Sequence, residues 1–281
     1  MLRIIAEIGS NWVGKDDAHE NLLHAVDAAA RTGATGVKFQ IGLDKLYSQT
    51  RTPEVWQRLQ QCAFPLESLP WLHTYTRSLG MELWASVFNV TLFDAVAGHL
   101  DGIKVASGDV VYQPIVVAAA EMSRIDKIPL AISTGAATNA EFRHALEWIY
   151  GENPYEITLM ACDSSYPASI ENVNLHHLLA YREDVDALGY SDHTLGVLPA
   201  QLAVALGYTM FEKHLLPWPN PDAPDACVSL DIAGFAHYVK AIRDAEALVA
   251  PRKRTFSVSE QQERTGARRG EDGLRPAKGA A

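Results

Sequence analysis

Near its start the chain reads Arg3-Ile-Ile-Ala-Glu-Ile8, then His19-Glu-Asn-Leu-Leu-His-Ala-Val-Asp-Ala-Ala-Ala-Arg31, then Gly36-Val-Lys-Phe-Gln40. The first and third segments have the length and apolar content of strands. In the middle segment the apolar residues recur at helical spacing, and Gly33 is placed to end a helix. A strand, a helix and a second strand in this order predict two parallel strands joined by a right-handed crossover.

The same alternation continues along the chain. Further strands are predicted at 82–86, 102–106, 130–133, 157–162, 187–190 and 209–213, and further helices at 53–79, 90–99, 114–124, 139–150, 171–183, 197–206 and 232–248. Eight strand–helix units leave nothing over for a second sheet. They predict an α/β protein whose residues 1–250 form a (β/α)8 TIM barrel.

Residues 251–281 differ in composition from the rest of the chain. Pro251-Arg-Lys-Arg254 is basic, and the residues that follow are rich in Arg, Gly and Ala with few large apolar side chains. Such a segment cannot build a core of its own. We expect a C-terminal extension that is partly disordered or docked on the barrel as a lid.

The composition excludes several classes of function. A net charge of −10 over 281 residues argues against binding to nucleic acid or to an anionic membrane, so an anionic substrate would need a locally basic pocket. No apolar stretch approaches the roughly 20 residues of a membrane span, and no signal peptide is seen, so a cytoplasmic protein is expected. No Gly-x-Gly-x-x-Gly or Walker sequence supports nucleotide binding.

The three cysteines predict neither disulfides nor a zinc-thiolate site. Cys62, Cys162 and Cys227 are odd in number and widely spaced, without a Cys-x-x-Cys pair. Buried thiols are the expectation.

Polar residues follow or end six of the eight predicted strands, where a TIM barrel places its chemistry. They are Glu7 and Asn11; Lys38 and Gln40; Lys104, Ser107 and Asp109; Ser133; Ser191 and His193; and Glu212 and His214. Lys38 and Gln40 share one face of a strand, as do Glu212 and His214, because side chains alternate with period two. Polar capping explains any one of these residues more readily than it explains the whole set.

His193 and His214 lie on adjacent predicted strands and can approach one cation, with open positions left for water and substrate. Glu7 or Asp225 could complete the shell. For His193 alone, a capping role in Ser191-Asp-His-Thr194 is the alternative. Imidazole with carboxylate and water is compatible with manganese, magnesium, iron or zinc.

The lysines at strand ends suggest an anionic substrate. Lys38 and Lys104 can neutralise a carboxylate or a phosphate, and Lys253 could act as a cation on a lid. Ser107, Ser133 and Ser191 can donate hydroxyl hydrogen bonds to phosphate oxygens. A Schiff-base lysine at Lys104 or Lys213 is the competing hypothesis.

In this order the motifs resemble those of the N-acetylneuraminate (sialic acid) synthase family. The motifs are Ile5-Ala-Glu-Ile-Gly9 with Asn11, Val37-Lys-Phe-Gln40, Lys104-Val-Ala-Ser-Gly-Asp109, Ile132-Ser-Thr-Gly135, Tyr166-Pro167, Ser191-Asp-His-Thr-Leu195, Glu212-Lys-His214, Pro224-Asp225 and Ser229-Leu-Asp231. The resemblance covers roughly residues 3 to 269. It implies a barrel that condenses phosphoenolpyruvate with an aldehyde, releasing phosphate and a 2-keto-3-deoxy acid.

The resemblance also implies roles for individual residues. The residues that it implies for binding of phosphoenolpyruvate are Lys38, Gln40, Ser86, Lys104, Ser107, Ser133, Ser164, Ser191 and Lys253. Those implied for the acceptor are Asn11, Trp12 and Tyr166, and the acid, base or water-orienting carboxylates are Glu7, Asp109, Glu212 and Asp225. His193 and His214 would bind Mn²⁺ or Mg²⁺, and a homodimer is expected.

The departures from the family pattern concern mainly the acceptor. Asn11-Trp-Val-Gly14, Ala223-Pro-Asp-Ala226 and Ala161-Cys-Asp-Ser164 replace sequences in which the family has histidine or asparagine. The family's C-terminal antifreeze-like domain, which helps to recognise the N-acyl sugar, is expected to be lacking. An acceptor other than N-acetylmannosamine is therefore predicted, with a true sialic acid or nonulosonate synthase and a non-catalytic binding barrel as the alternatives.

Overall fold

The computed structural model describes residues 2–14, 17–251 and 255–275, and it divides the chain into two compact units, Met1–Leu248 and Val249–Ala281. In the first unit, parallel strands pair in chain order and the last returns to the first, which closes a barrel. The strands are β1 (Arg3–Gly9), β2 (Gly36–Ile41), β3 (Glu82–Val87), β4 (Gly102–Val105), β5 (Leu130–Ser133), β6 (Ile157–Cys162), β7 (Ala187–Asp192) and β8 (Met210–His214). The predicted TIM barrel is confirmed.

Helices separate most of these strands. They are α1 (Ala18–Thr32), α2 (Pro53–Gln60), α3 (Leu69–Ser78), α4 (Phe93–Val96), α5 (Gln113–Asp126), α6 (Asn139–Glu152), α7 (Leu198–Ala205) and α8 (Ile232–Val249). Local sequence fixes their ends. Thr138 and Glu141 form a reciprocal capping box at the start of α6, and Gly33 ends α1 in the left-handed conformation, with φ 81°.

The helix predicted over 53–79 is wrong as a single element. The structure has α2, a 3-10 turn at Leu66–Ser68 and then α3. Pro65 and Pro70 lie inside the predicted range. Because a proline lacks an amide hydrogen and restricts the residue before it, the helix stops and restarts there.

Two other predicted helices are shorter or of another type. The range 90–99 contains a 3-10 turn at Val90–Leu92 and the single turn of α4, and Gly98, with φ 73°, ends this segment. The range 171–183 folds as 3-10 turns, in which the Asn174 side chain accepts a hydrogen bond from the amide of His176 at 3.2 Å. Such local side-chain bonds compete with a regular helix.

Side-chain alternation divides the strands into two faces. Outward-facing residues pack beneath the helices in the main apolar core. Inward-facing residues form a second apolar cluster, made of Ile5, Trp84, Ala131, Met160 and Met210. On all eight strands, the residue two positions after a member of this cluster, or after Gly36, Gly102 or Gly189 on the other three strands, is a polar residue or Cys162 and lines the same pocket. The barrel interior therefore changes from apolar to polar towards the carboxyl ends of its strands.

The second unit contains one helix among its described residues, α9 (Val258–Ala267). The Ser257 side chain caps this helix by accepting a hydrogen bond from the amide of Glu260 at 3.0 Å. The role of a lid for residues 251–281 stays a prediction, and Lys253 lies outside the described residues. Across the described part of the chain, no helix combines the length and hydropathy of a membrane span.

Candidate active site

A polar pocket opens at the carboxyl ends of the strands. It is lined by Glu7, Lys38, Gln40, Ser86, Lys104, Ala106, Ser107, Ser133, Cys162, Tyr166, Ser191, His193, Glu212 and His214. Of these residues, only Ala106 and Cys162 were not among the predicted site residues. The two same-face pairs, Lys38 with Gln40 and Glu212 with His214, both point into the pocket, as the period-two alternation predicts.

Two lysines and two glutamates form a buried ionic network in the pocket. The Lys38 Nζ lies 2.7 Å from Glu7 Oε2 and 3.6 Å from Glu212 Oε2. Lys104 Nζ contacts the other oxygen of Glu212. All four residues are at most 6% exposed. Since buried charges are costly unless they are paired, the network is stable because each of its lysines is neutralised by a glutamate.

The two glutamates differ in protonation. Burial raises the pKa of Glu7 to about 7, although Lys38 opposes this shift. Burial alone would also raise the pKa of Glu212, but the ammonium groups of Lys104 and Lys38 outweigh it and hold the pKa below its usual range. Glu7 is therefore the carboxyl that can exchange a proton near neutral pH, whereas Glu212 stays ionised.

Hydroxyl groups surround the lysines. Lys38 donates to Ser86 Oγ and Lys104 to Ser191 Oγ, both at 3.3 Å, and Ser191 donates to Glu212 at 3.0 Å. Ser133 Oγ is buried and has no hydrogen-bond partner among the described residues. A buried hydroxyl in a basic pocket is available to a ligand oxygen.

Ser164 does not line the pocket but lies behind Ser107, to whose Oγ it donates a hydrogen bond at 2.9 Å. A Cβ at Gly135 would come within 2.4 Å of Ser164 Oγ. The glycine in Ser133-Thr-Gly135 is thus required by the close approach of this serine. Ser107 and Ser164 form a hydroxyl pair beside the pocket.

The two histidines face each other across the pocket, with ring centroids 5.5 Å apart. His193 Nδ1 lies 2.6 Å from the carbonyl oxygen of Asp163. Because a carbonyl only accepts, Nδ1 carries the hydrogen and Nε2 keeps its lone pair. His214 Nδ1 is buried without a hydrogen-bond partner in the described part of the chain, and its nearest carboxylate oxygen, from Asp225, lies at 3.7 Å.

Both imidazoles are neutral at physiological pH. Burial and then the charge of His214 lower the pKa of His193 to about 4, and burial lowers that of His214 to about 3. Neutral imidazoles with free lone pairs, one of them oriented by a backbone carbonyl, fit the requirements of metal ligands. No cluster of three or more potential metal-binding side chains occurs within 2–14, 17–251 and 255–275.

Gly9 allows three polar side chains to converge beside β1. It adopts φ 57°, and a Cβ there would approach Glu7 Oε1 at 3.0 Å and both Asp225 Oδ2 and Gln40 Cδ at 3.3 Å. Asp225 is therefore next to the pocket, although it does not line it. Burial raises its pKa.

Two residues predicted to bind the acceptor have other surroundings. Trp12 is 3% exposed, and its ring packs edge-on against Phe64 in the apolar core, with centroids 6.0 Å apart. Asn11 is buried and bridges two loops, donating to the carbonyl of Leu215 at 3.1 Å and to Ser229 Oγ at 2.9 Å. Neither lines the pocket, because Asn11 is held by its bonds to Leu215 and Ser229 and Trp12 packs in the core.

Tyr166, the third residue predicted for the acceptor, does line the pocket. Its ring lies over His193, with centroids 4.2 Å apart, and meets the ring of His214 edge-on at 5.7 Å. It is 45% exposed, so it forms part of the pocket mouth. Asp109 follows Ser107 on the same rim, in a 3-10 turn after β4, and does not line the pocket.

Sequence reasoning missed Cys162 as a pocket residue. Its Sγ lies 3.8 Å from His193 Nδ1. The available signal was period two along β6, which places Cys162 on the same face as the interior residue Met160. Lys213, considered as a Schiff-base lysine, faces outward and is fully buried away from the pocket.

Together, the closed barrel and its buried polar pocket define a (β/α)8-barrel protein with two lysines, two glutamates and two histidines gathered at the carboxyl ends of its strands. Comparison with known proteins identifies the family. The model of the NeuB family matches residues 25–253. An N,N'-diacetyllegionaminic acid synthase of Legionella pneumophila is 31% identical over 276 residues, covering 92% of this chain and 76% of that protein. A pseudaminic acid synthase of Helicobacter pylori is 28% identical, and the match covers 86% of this chain and 74% of that protein.

Solved structures agree on the fold. The spore coat polysaccharide biosynthesis protein SpsE of Bacillus subtilis superposes with a TM-score of 0.73 at 27% identity, covering 96% of this chain and 78% of that one. An N-acetylneuraminic acid synthetase of Leptospira borgpetersenii superposes with a TM-score of 0.81 at 24% identity, covering 93% and 90%. This chain belongs to the NeuB family, which confirms the resemblance seen in its motifs.

Proposed function

We propose that this protein condenses phosphoenolpyruvate with the aldehyde group of a sugar or sugar-like acceptor, giving a 2-keto-3-deoxy acid and phosphate. The observation that carries the proposal is the pairing, in one buried pocket, of two lysines with two neutral histidines. The lysines suit a small polyanion, and the histidines suit a divalent cation. Membership of the NeuB family and the names of the synthases that the chain resembles support the same chemistry.

Lys38 and Lys104 would bind the carboxylate and phosphate of phosphoenolpyruvate. These substrate groups would take the place of Glu7 and Glu212 as partners of the two ammonium groups. Ser133, whose Oγ is buried and unpartnered, would donate to the phosphate, as would Ser107. Ser164 would act through Ser107, to which it is hydrogen-bonded. Fixed cations and hydroxyls in a dry pocket stabilise developing negative charge without reorganisation.

In the proposed reaction, C3 of phosphoenolpyruvate forms a bond to the aldehyde carbon, and water adds to C2. The C2–O bond to phosphate then breaks, so one aldehyde, one phosphoenolpyruvate and one water give one keto acid and one phosphate. The attacking water loses both of its protons as the C2 carbonyl forms; one reaches the former aldehyde oxygen and the other leaves with phosphate. Glu7, whose pKa is raised to about 7 by burial, is suited to such transfers, and Asp225 and Asp109 are the other candidates.

His193 and His214 would hold the divalent ion, with Asp225 beside them. When bound, manganese or magnesium would supply Lewis-acid polarisation of the acceptor's carbonyl oxygen. The contribution of the chain is to keep both imidazoles neutral and to orient His193 through its hydrogen bond to Asp163.

The acceptor is where this chain differs from the family pattern. Its relatives include synthases named for legionaminic, pseudaminic and N-acetylneuraminic acid 9-phosphate products, so related barrels serve different acceptors. The departures at Trp12, Ala226 and Ser164 from the histidines and asparagine of the family pattern support an acceptor other than N-acetylmannosamine. A true nonulosonate synthase is the second candidate, favoured by the names of the relatives. The homodimer and the cytoplasmic location stay predictions.

Phosphate release from phosphoenolpyruvate tests the proposal. We expect release that requires both a divalent metal and an added aldehyde, with the product identified by mass spectrometry across a panel of N-acylated and unmodified sugars. A product from a diacylamino hexose would support the nonulosonate alternative. Binding of phosphoenolpyruvate without phosphate release on any aldehyde would contradict catalysis and favour a binding protein.

A further inference from the structure

Two charged residues are buried directly behind the histidine pair, on the outer face of the barrel. Asp192 and Lys213 are both 0% exposed, and Lys213 Nζ lies 3.3 Å from Asp192 Oδ1. Lys213 Nζ also lies 5.4 Å from the centre of the Tyr238 ring on α8, which covers the pair. Because side chains alternate along β7 and β8, neither residue reaches the pocket, and the proposed chemistry does not use them.

The pair lies where the β-ladder stops. The last residues paired between β7 and β8 are Asp192 and Lys213, so His193 lies one residue beyond the support of the ladder. His214, in contrast, still pairs with Glu7 of β1. Beyond the ladder, the backbone around His193 depends on hydrogen bonds from outside the sheet, such as the one from the amide of Ala168 to the carbonyl oxygen of His193 at 2.9 Å.

Lys213 supplies further support of this kind through its ammonium group. Its Nζ donates to the carbonyl oxygen of Asp192, at 3.4 Å, and to that of Thr194, which are the residues on either side of His193. The Asp192 carboxylate accepts hydrogen bonds from the amide and the hydroxyl of Thr194, both at 2.8 Å. One side chain next to His214 thus holds the backbone on both sides of His193.

A buried ion pair is a poor way to gain stability. Removing two charges from water costs several kcal/mol per ion, and apolar replacements of similar volume are often as stable or more stable. What this arrangement offers is geometry, since an ammonium group with three donors can bind two carbonyls and a carboxylate at once. Its energetic cost is consistent with a role at the neighbouring site.

We propose that Asp192, Thr194 and Lys213 form a positioning network that fixes the His193 imidazole relative to that of His214. These residues touch neither substrate nor metal and act only through the backbone of the histidines. The inference rests on the proposed role of the two histidines as metal ligands. It adds that residues outside the pocket set the affinity of the site for its ion.

The test uses the full-length protein and the double variant Asp192→Asn with Lys213→Met, which removes both charges together and leaves no buried ion unpaired. We measure Mn²⁺ affinity by isothermal titration, Tm by calorimetry, and the His193 tautomer by ¹⁵N NMR without metal. Loss of outer-shell partners typically weakens metal binding by about 10- to 100-fold, and we expect a loss of that size with little change in the affinity for phosphoenolpyruvate. The Nδ1–H tautomer of His193 should become averaged.

Phe235→Leu is the matched control. Phe235 is buried on α8 and its ring lies 5.9 Å from that of Tyr238, so the variant lowers Tm in the same region without touching the network. It should keep wild-type Mn²⁺ affinity. Equal losses of affinity in both variants would mean that general destabilisation is the cause, and would overturn the inference.

The outcomes separate this inference from the proposed function. If the wild type binds no Mn²⁺, the metal assignment fails, while the tautomer measurement still decides whether the network orients His193. A folded double variant with wild-type affinity and tautomer would overturn the positioning role. If neither the double variant nor Asp192→Asn alone folds, the network supports the barrel as a whole, and the claim of a local role is wrong.

Discussion

Strand β4 carries an aspartate just before it and another shortly after it, and the two have opposite surroundings. Asp101, at the amino end, accepts from the amide of Leu83 at 2.9 Å and pairs with Arg77 at 2.9 Å and His73 at 3.2 Å. The carboxylate of Asp109, at the carboxyl end, has no hydrogen bond or ion pair within the described residues, and burial raises its pKa from 3.8 to about 6. At one end of the strand the acid is neutralised and hydrogen-bonded by its neighbours, and at the other end burial disfavours its ionised form.

The two ends of the barrel show the same difference on a larger scale. Cavities of about 780 and 470 Å³ lie at the amino ends of the strands, and their charged residues are largely paired with one another, as Arg3 is with Glu82 at 3.0 Å and with Glu156 at 3.2 Å. At the carboxyl ends the pocket leaves Ser133 Oγ and His214 Nδ1 unpartnered within the described ranges. Thr158 Oγ1, in one of the amino-end cavities, is also buried without a partner among the described residues. What sets the carboxyl-end pocket apart is therefore its buried network of lysines and glutamates, rather than its size or its unpartnered atoms.

The largest expected effect is that of His214→Ala at the carboxyl end. Loss of one of two proposed imidazole ligands should abolish detectable Mn²⁺ binding and lower kcat/KM by about 10³-fold or more, equivalent to several kcal/mol of charge stabilisation. His73→Ala, at the amino end, should leave metal binding and activity unchanged. A His214→Ala protein with intact metal and full activity would show that the proposed metal site is wrong.

The second-largest effect is expected for Lys104→Met, which should lower kcat/KM for phosphoenolpyruvate by about 10²- to 10³-fold. Removal of the cation leaves Glu212 with Lys38 alone and removes a partner of the substrate anion. Lys127→Met is the control, because Lys127 lines a cavity at the amino end. Steady-state kinetics on both variants test the comparison, and equal losses would contradict it.

Asp109→Asn and Asp101→Asn should change stability in opposite directions. Because the pKa of Asp109 is raised in the folded protein, its carboxyl group ionises more readily in the unfolded chain. The resulting loss of stability begins as the pH rises above about 3.8, is complete above about pH 6, and is absent below about pH 3.8. At pH 7.5 Asp109→Asn should raise the free energy of unfolding by about 1–2 kcal/mol, a figure reduced for partial exposure, and the gain should vanish towards pH 4. Asp101→Asn should lower it by about 1–3 kcal/mol.

Urea unfolding of both variants and the wild type at pH 4.5, 6 and 7.5 measures this pair of effects. Activity should fall in Asp109→Asn and not in Asp101→Asn, since only the first lies on the rim of the pocket. A stability gain for Asp109→Asn that does not depend on pH would mean that the carboxylate is not the origin of the cost.

The sequence predicted those parts of the site that depend on strand periodicity. Lys38, Gln40, Glu212 and His214 point inward because side chains alternate and because barrels place their chemistry at the carboxyl ends of strands. Loop paths have no such period, so Asn11 and Trp12 were predicted in the pocket and were found elsewhere. The network behind His193 was also invisible, because Asp192 and Lys213 meet only through the pairing of β7 with β8. Periodicity gives the face of a residue, and only the folded chain gives its neighbours.

The smallest effect is expected for Arg77→Ala. Compared with Lys38→Met, this variant tests directly whether burial separates the ion pairs at the two ends of the barrel. Both cations lie within 3 Å of a carboxylate, Arg77 at 2.9 Å from Asp101 and Lys38 at 2.7 Å from Glu7. The Arg77 side chain is 65% exposed, whereas that of Lys38 is 3% exposed. An exposed pair contributes about 0–1 kcal/mol, and removal of one partner from a buried pair costs about 3–5 kcal/mol.

Arg77→Ala should therefore lower the free energy of unfolding by less than about 1 kcal/mol, become indistinguishable from the wild type in 1 M salt, and keep activity within about twofold. Lys38→Met should lose both stability and phosphoenolpyruvate binding, with little dependence on salt. Urea unfolding at low and high salt, together with steady-state kinetics, measures both. Since the two pairs have nearly the same length, a comparable loss in Arg77→Ala would show that burial is not what separates the two ends of the barrel.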